Sequence, residues 1–147
     1  MTGAVVTIDG NITADPELRF TQNGIPVASF NVAHTARRLN RQTNEWEDYG
    51  DPLFLRVNVW REQGQNVADT LRKGQAVLVV GRLVARNYET REGEKRSTIE
   101  CDADIVSVDL RRQRAQSVSR VRSDAPAAAP EEPWAAGPSP LKAVDAA

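Results

Sequence analysis

The sequence predicts an all-β fold: a small five-stranded barrel with one inserted helix, followed by a long tail without structure. Three observations carry that reading. Over most of residues 1–112 apolar and polar residues alternate in short runs separated by turn residues, the period-two pattern of half-buried strands. One stretch, 62–74, has helical spacing instead. From Gln113 onward the chain reads QRAQSVSRVRSDAPAAAPEEPWAAGPSPLKAVDAA, rich in Ala, Pro and Ser and without periodicity. Such a composition cannot bury enough surface to offset the entropy lost on ordering. The expected organisation is therefore one domain over 1–112 and a disordered tail over 113–147.

The elements follow in order. VVTIDGNI (5–12) alternates and ends before Asp15-Pro16, a turn initiator. The short run ELRFT (17–21) stops at Gln22-Asn23-Gly24, a second turn. VASFNVAHT (27–35) places Ala28, Phe30 and Val32 on one face, and LFLRVNVW (53–60) is the third main strand. AVLVVGRLVARNY (76–88) is long and apolar, with Gly81 marking a bend or bulge. After a turn at Glu92-Gly93-Glu94, STIECDADIVSVDL (97–110) closes the set. The helix, EQGQNVADTLRKG (62–74), has Val67 and Leu71 at i and i+4. Arg72 and Lys73 fall where cations favour a helix C-terminus, with Gly74 at the cap position. Five strands with a helix after the third is the order of an OB-fold Greek-key barrel. A sandwich with a stray helix fits the spacing as well.

The third strand poses a question. Leu53, Leu55, Val57 and Val59 form one aliphatic row, suited to a barrel interior. The opposite row is Phe54, Arg56, Asn58 and Trp60, so two large rings stand on the side expected to meet water. The next strand repeats the pattern: Arg82, Val84, Arg86 and Tyr88 share one face. The loop between the second and third strands adds Arg37, Arg38 and Arg41. Arginines interleaved with aromatics on a sheet suit single-stranded nucleic acid, because unpaired bases stack on rings while guanidinium groups hold phosphates. For Phe54 and Trp60 alone, packing in a subunit interface is an equally good reading; the second strand favours nucleic acid. Trp46, beside Glu45 and Glu47, is expected to pack as a hairpin tip.

Nothing local points to catalysis. His34 is the sole histidine and reads as a structural or surface residue, and Cys101 as a packed thiol without a disulfide partner. Asp102 and Asp104 share a strand face and read as a solvated edge. The glycines are scattered rather than grouped in a phosphate-binding loop. No metal or cofactor is expected. The 19 basic and 20 acidic residues give a net charge of −1, so any polyanion must be met by a local stripe rather than an overall field. No run is long enough for a membrane span and no targeting segment is evident, so a cytoplasmic protein is expected.

Several motifs together, GNITADPELRFTQNG, VASFNVA, RQTNEWED, LFLRVNVWRE, NVADTLRKG and VVGRLVARNYETREGEKR, closely resemble the bacterial single-stranded DNA-binding protein family from about Val5 to Leu110. The resemblance implies an OB fold that assembles as a homotetramer. Its role would be to protect single strands on the nucleoid during replication, recombination and repair. It further implies stacking of bases at Phe54, Trp60 and Tyr88. A further stacking ring found in some members falls near Arg38, where this chain has no ring. Arg37, Arg38, Arg41, Arg56, Arg82 and Arg86 would line the backbone path. The family's acidic tip, which recruits genome-maintenance proteins, has no counterpart in the final KAVDAA. Glu131, Glu132, Pro133 and Trp134 form the nearest match, although ordinary linker composition accounts for them more simply. That departure points to an accessory, plasmid- or phage-borne paralogue. Two other functions fit the residues: an OB module that docks a replication or repair protein, and a binder of single-stranded RNA.

Overall fold

The computed structural model describes residues 3–116. In chain order the elements are β1 (Ala4–Ile12), β2 (Glu17–Phe20), β3 (Pro26–His34), β4 (Arg37–Asn40), β5 (Glu45–Asp48), β6 (Leu53–Trp60), α1 (Arg61–Thr70), β7 (Ala76–Glu89) and β8 (Lys95–Val108). Five of the strands close on themselves in the order β1, β7, β8, β6, β3 and back to β1, with β2 flanking β3. Within the closed sheet only β6 and β8 run parallel. The expected OB-fold Greek-key barrel is thus what these residues form.

The alternation of the strands places the core. Ala28, Phe30 and Val32 of β3 and Leu55, Val57 and Val59 of β6 point inward beside Val77, Val79 and Cys101. Leu53 breaks the row and is exposed. It pairs with His34 at the very end of β3, beyond the last buried pair, Leu55 against Val32. Asn58 departs the other way: expected on the wet side, it is buried.

A bulge interrupts the β7–β8 ladder at Val80/Gly81, as the glycine suggested, and leaves Asp104 as the extra residue on β8. A Cβ at position 81 would lie 2.7 Å from Cys101 Sγ and 2.8 Å from the Ala103 Cα. Only glycine permits this close approach of the two strands.

Two elements differ from expectation. The helix covers Arg61–Thr70 rather than 62–74, because Leu71 turns extended and buries its side chain in the core. Arg72 still serves the helix end, donating from Nη1 to the carbonyls of Ala68 and Leu71 at 2.8 and 2.7 Å. Gly74 lies beyond, in the turn before β7, with φ of 87°. The stretch expected as an arginine loop is a separate hairpin, β4 paired with β5. Asn40 Oδ1 shapes its turn by accepting from the N–H groups of Gln42 and Thr43. Trp46 therefore sits on β5 opposite Leu39, not at the tip.

Beyond β8 the chain stays tied to the barrel. The Gln113 amide accepts from Ala76 N–H at 3.1 Å and donates to Ala76 C=O at 2.6 Å. The segment containing Glu131, Glu132, Pro133 and Trp134 lies outside the described residues.

Candidate nucleic-acid interface

The barrel's closure gathers residues that are distant in sequence onto one outer face. On β6, Phe54 and Trp60 stand roughly 20 Å apart, at about 3.3 Å per residue. They are 63% and 38% exposed. Because β6 runs parallel to β8, with Arg56 beside Glu100 and Asn58 beside Asp102, its start points toward the far arm of the β7–β8 hairpin. That arm carries Tyr88, opposite Arg96 and 51% exposed. Arg56, Arg82 and Arg86 lie between the rings. All three rings and three of the six arginines singled out in the sequence therefore stand on β6 and β7, the two strands that flank β8.

The arginines on this face are not bare. Arg82 pairs with Asp104 at 2.7 Å and Arg86 with Asp102 at 3.2 Å. Glu100 lies 3.9 Å from the Arg56 guanidinium and 3.8 Å from that of Arg86. Its own carboxylate is held from below: Asn58 Nδ2 donates to Glu100 Oε2 at 2.7 Å, and Asn58 Oδ1 accepts from the Ser29 hydroxyl at 2.8 Å. The burial of Asn58 follows, since its amide is satisfied on both sides. The relay Ser29–Asn58–Glu100 crosses β3, β6 and β8. Asp102 and Asp104 are not a plain solvated edge, as the sequence suggested, but counter-charges to two arginines of the face. Sequence reasoning missed Glu100 altogether.

Arg37, Arg38 and Arg41 stand elsewhere, on the β4–β5 hairpin. Arg37 pairs with Asp48 at 3.3 Å and donates to the Trp46 carbonyl at 2.8 Å. Arg38 bonds Glu47 at 2.8 Å, and its guanidinium lies 5.0 Å from the centroid of the Tyr49 ring, within reach of a cation–π contact. Bonding to Arg38, then to Asn40, holds the Glu47 carboxyl below its ordinary value. Arg41 occupies the hairpin turn.

A cleft of about 770 Å³ runs between this hairpin and the barrel, lined in part by Asp9, His34, Arg37, Trp46 and Arg111. Arg111, Asp9 and Asp109 pair within it. Arg111 bonds Asp9 at 2.7 Å and Asp109 at 2.6 Å, and its bonding to Asp109 holds that carboxyl below the usual carboxylate range. His34 Nδ1 is 2.7 Å from the Asp9 carbonyl. None of the three candidate stacking rings lines this cleft.

The chemistry available elsewhere is limited. Burial, with Asp102 and Asp104 nearby, pushes the Cys101 thiol up, which keeps it protonated and unreactive. Among the described residues no group of three or more His, Cys, Asp or Glu side chains is placed to hold a metal ion, and no helix is long and apolar enough to cross a membrane.

Residues 4–109 match the model of the single-strand binding protein family. A single-stranded DNA-binding protein of Corynebacterium glutamicum is 60% identical over 105 residues, covering 71% of this chain and 46% of that one. A protein of the same description from Mycobacterium bovis is 48% identical over 146 residues, covering 91% of this chain and 88% of its own. This chain thus spans about half the length of the first relative and most of the second. Among solved structures, a small single-stranded DNA-binding protein from Streptomyces coelicolor superposes with a TM-score of 0.66 at 34% identity. That superposition covers 77% of this chain and all of the other.

Proposed function

The chain belongs to the single-strand binding protein family, and from that premise we propose that it binds single-stranded DNA with little base preference, without catalysis, and shields it during replication, recombination and repair. The observation that supports this reading is the alternation of exposed rings and arginines along one barrel face. Phe54, Trp60 and Tyr88 stack bases, a contact that every base offers through its π face. Arg56, Arg82 and Arg86 on the barrel, and Arg37, Arg38 and Arg41 on the hairpin, follow the phosphates. The barrel's ion pairs are partly exposed, and such pairs are worth only about 0–1 kcal/mol. A phosphate can therefore replace a carboxylate at small cost.

The protein acts in the cytoplasm as a homotetramer. An edge suited to self-association is present: β1 pairs with β7 over Ala4–Asn11 but with β3 only at Asn11 and Ile12. Most of its other side is left open to another strand. Replication and repair proteins are its further partners.

The test is a tryptophan-fluorescence titration with oligo-dT, repeated with duplex DNA and at raised salt. Trp60 should be quenched on stacking, over a background from Trp46 and Trp134. Replacing Trp60 by Ala should weaken oligo-dT binding by about 1–3 kcal/mol, roughly five- to a hundredfold, with the oligomer unchanged. Intact DNA binding together with a dissociated oligomer would instead make these rings a protein contact and sink the proposal.

A further inference from the structure

We propose that the interface continues past Trp60 onto β2, where Arg19 holds the phosphate of the nucleotide stacked on that ring. The inference rests on the single-strand reading above and adds to it a residue on a strand that reading does not use. The sheet register carries it. Val27 of β3 stands opposite Trp60 of β6 on one side and opposite Arg19 of β2 on the other. The three residues form one row across three strands, roughly 10 Å from end to end at the usual spacing of paired strands. All three face outward. Their neighbours Leu18, Ala28 and Val59 belong to the core or pack against it, and successive side chains of a strand take opposite faces.

A tight turn keeps the row in place. Thr21 N–H donates to the Ile25 carbonyl at 2.9 Å, and Gly24 N–H to the Thr21 carbonyl at 2.8 Å. Ile25 N–H donates to the Thr21 hydroxyl at 3.1 Å. These bonds pin β2 against β3, where a slip of one residue would turn Arg19 to the opposite face. Val27, between the ring and the guanidinium, is aliphatic and half-buried. It gives a nucleotide an uncharged floor to cross.

Arg19 also differs from the barrel arginines in what holds it. Arg82 and Arg86 pair with carboxylates on the neighbouring strand β8. Among the described residues Arg19 bonds Glu17 alone, at 2.7 Å and two residues along its own strand, and the two side chains are 67% and 58% exposed. So exposed a pair contributes little to stability. A phosphate can take its place, since a guanidinium meets phosphate oxygens through two parallel N–H bonds. The registers of β6, β7 and β8 order the face from Tyr88 through Arg86 and Arg82 toward Trp60. A backbone that follows those cations to Trp60 finds in Arg19 the next one across the sheet.

The test is a pair of double-mutant cycles on the full chain, with labelled oligo-dT followed by anisotropy across a salt series. Arg19→Ala is made alone, with Trp60→Ala and with Tyr88→Ala. Alone it should weaken oligo-dT binding about fivefold and flatten the salt slope by about 0.7, as the loss of one phosphate contact. Beside Trp60→Ala the same change should cost less than about twofold, because the nucleotide it serves is no longer held there. Beside Tyr88→Ala, at the far end of the face, it should keep its full factor. A thermal melt checks that each variant folds, and Arg19→Gln, which keeps a long side chain without the charge, carries the test if the alanine variant does not. Unchanged affinity and slope overturn the proposal while leaving single-strand binding intact. So do equal factors in the two backgrounds, which a cation acting only through the general field would give. Failure of the unmodified chain to bind oligo-dT overturns both readings at once.

Discussion

Arg56, Arg82 and Arg86 stand on a closed barrel, whereas Arg37, Arg38 and Arg41 stand on a two-stranded hairpin between β3 and β6. Both sets face carboxylates, but the partners differ in kind. On the hairpin, Arg38 meets Glu47 from nine residues away, along one local ladder. On the barrel, Arg86 meets Asp102 and Arg82 meets Asp104 across sixteen and twenty-two residues, and Glu100 is anchored through a relay spanning three strands. One set is oriented by the tertiary fold and the other by a turn. Charge alone, which made the two sets look equivalent in the sequence, does not distinguish a face organised in advance from one that adapts as it binds.

Breaking the relay should separate them most sharply. Asn58→Leu removes the amide that joins Ser29 to Glu100 and leaves a carboxylate and a hydroxyl without that partner. The expected loss is about 1–3 kcal/mol of stability, seen as a fall in melting temperature of several degrees. The hairpin counterpart, Asn40→Ala, removes contacts from an exposed turn and should cost less than about 1 kcal/mol. Equal losses would mean that the barrel face is no better organised than the hairpin.

A smaller effect separates the arginines themselves. Arg86→Ala removes a proposed phosphate contact and also leaves Glu100 and Asp102 with less compensation, so oligo-dT affinity should fall about tenfold. Arg41→Ala, in the hairpin turn, should cost only a few-fold. Each should reduce the salt slope by about 0.7. A larger loss at Arg41 would invert the ranking and place the main phosphate path on the hairpin.

How much of this was legible in the sequence follows from the range of the interactions. Ala28, Phe30, Val32, Val57 and Val59 were readable because alternation is local and one face was uniformly apolar. Gly81 was readable because a glycine weakens the interior of an apolar strand unless a bulge or a close approach requires it. The β4–β5 hairpin was not, since RRLN and EWED have no apolar face to show a period. Leu71 looked helical by spacing, but the core drew it into extended backbone. Glu100 was least accessible of all: only the parallel pairing of β6 with β8 sets it beside Arg56, and nothing near it in the sequence announces that pairing. The rings were visible as an anomaly of one strand, and the carboxylates among which they stand were not.

The smallest expected difference concerns acid. Bonding to Arg38, then to Asn40, keeps Glu47 ionised below its ordinary range. In the unfolded chain the same carboxyl takes up its proton at about 4.3. The contribution of this contact to the hairpin is therefore fully present above that value and is lost as pH falls toward the depressed folded one. Acid should accordingly loosen β4–β5 as the Glu47 carboxyl takes up its proton. A carboxyl NMR titration should find the Glu47 midpoint low in the unmodified chain and returned toward about 4.3 by Arg38→Gln. Amide exchange should rise at the hairpin while Val57 stays protected. If Glu47 titrates at its ordinary value, or if Arg38→Gln leaves it unmoved, the local ion pair is not what holds the hairpin, and its arginines are oriented by the fold after all.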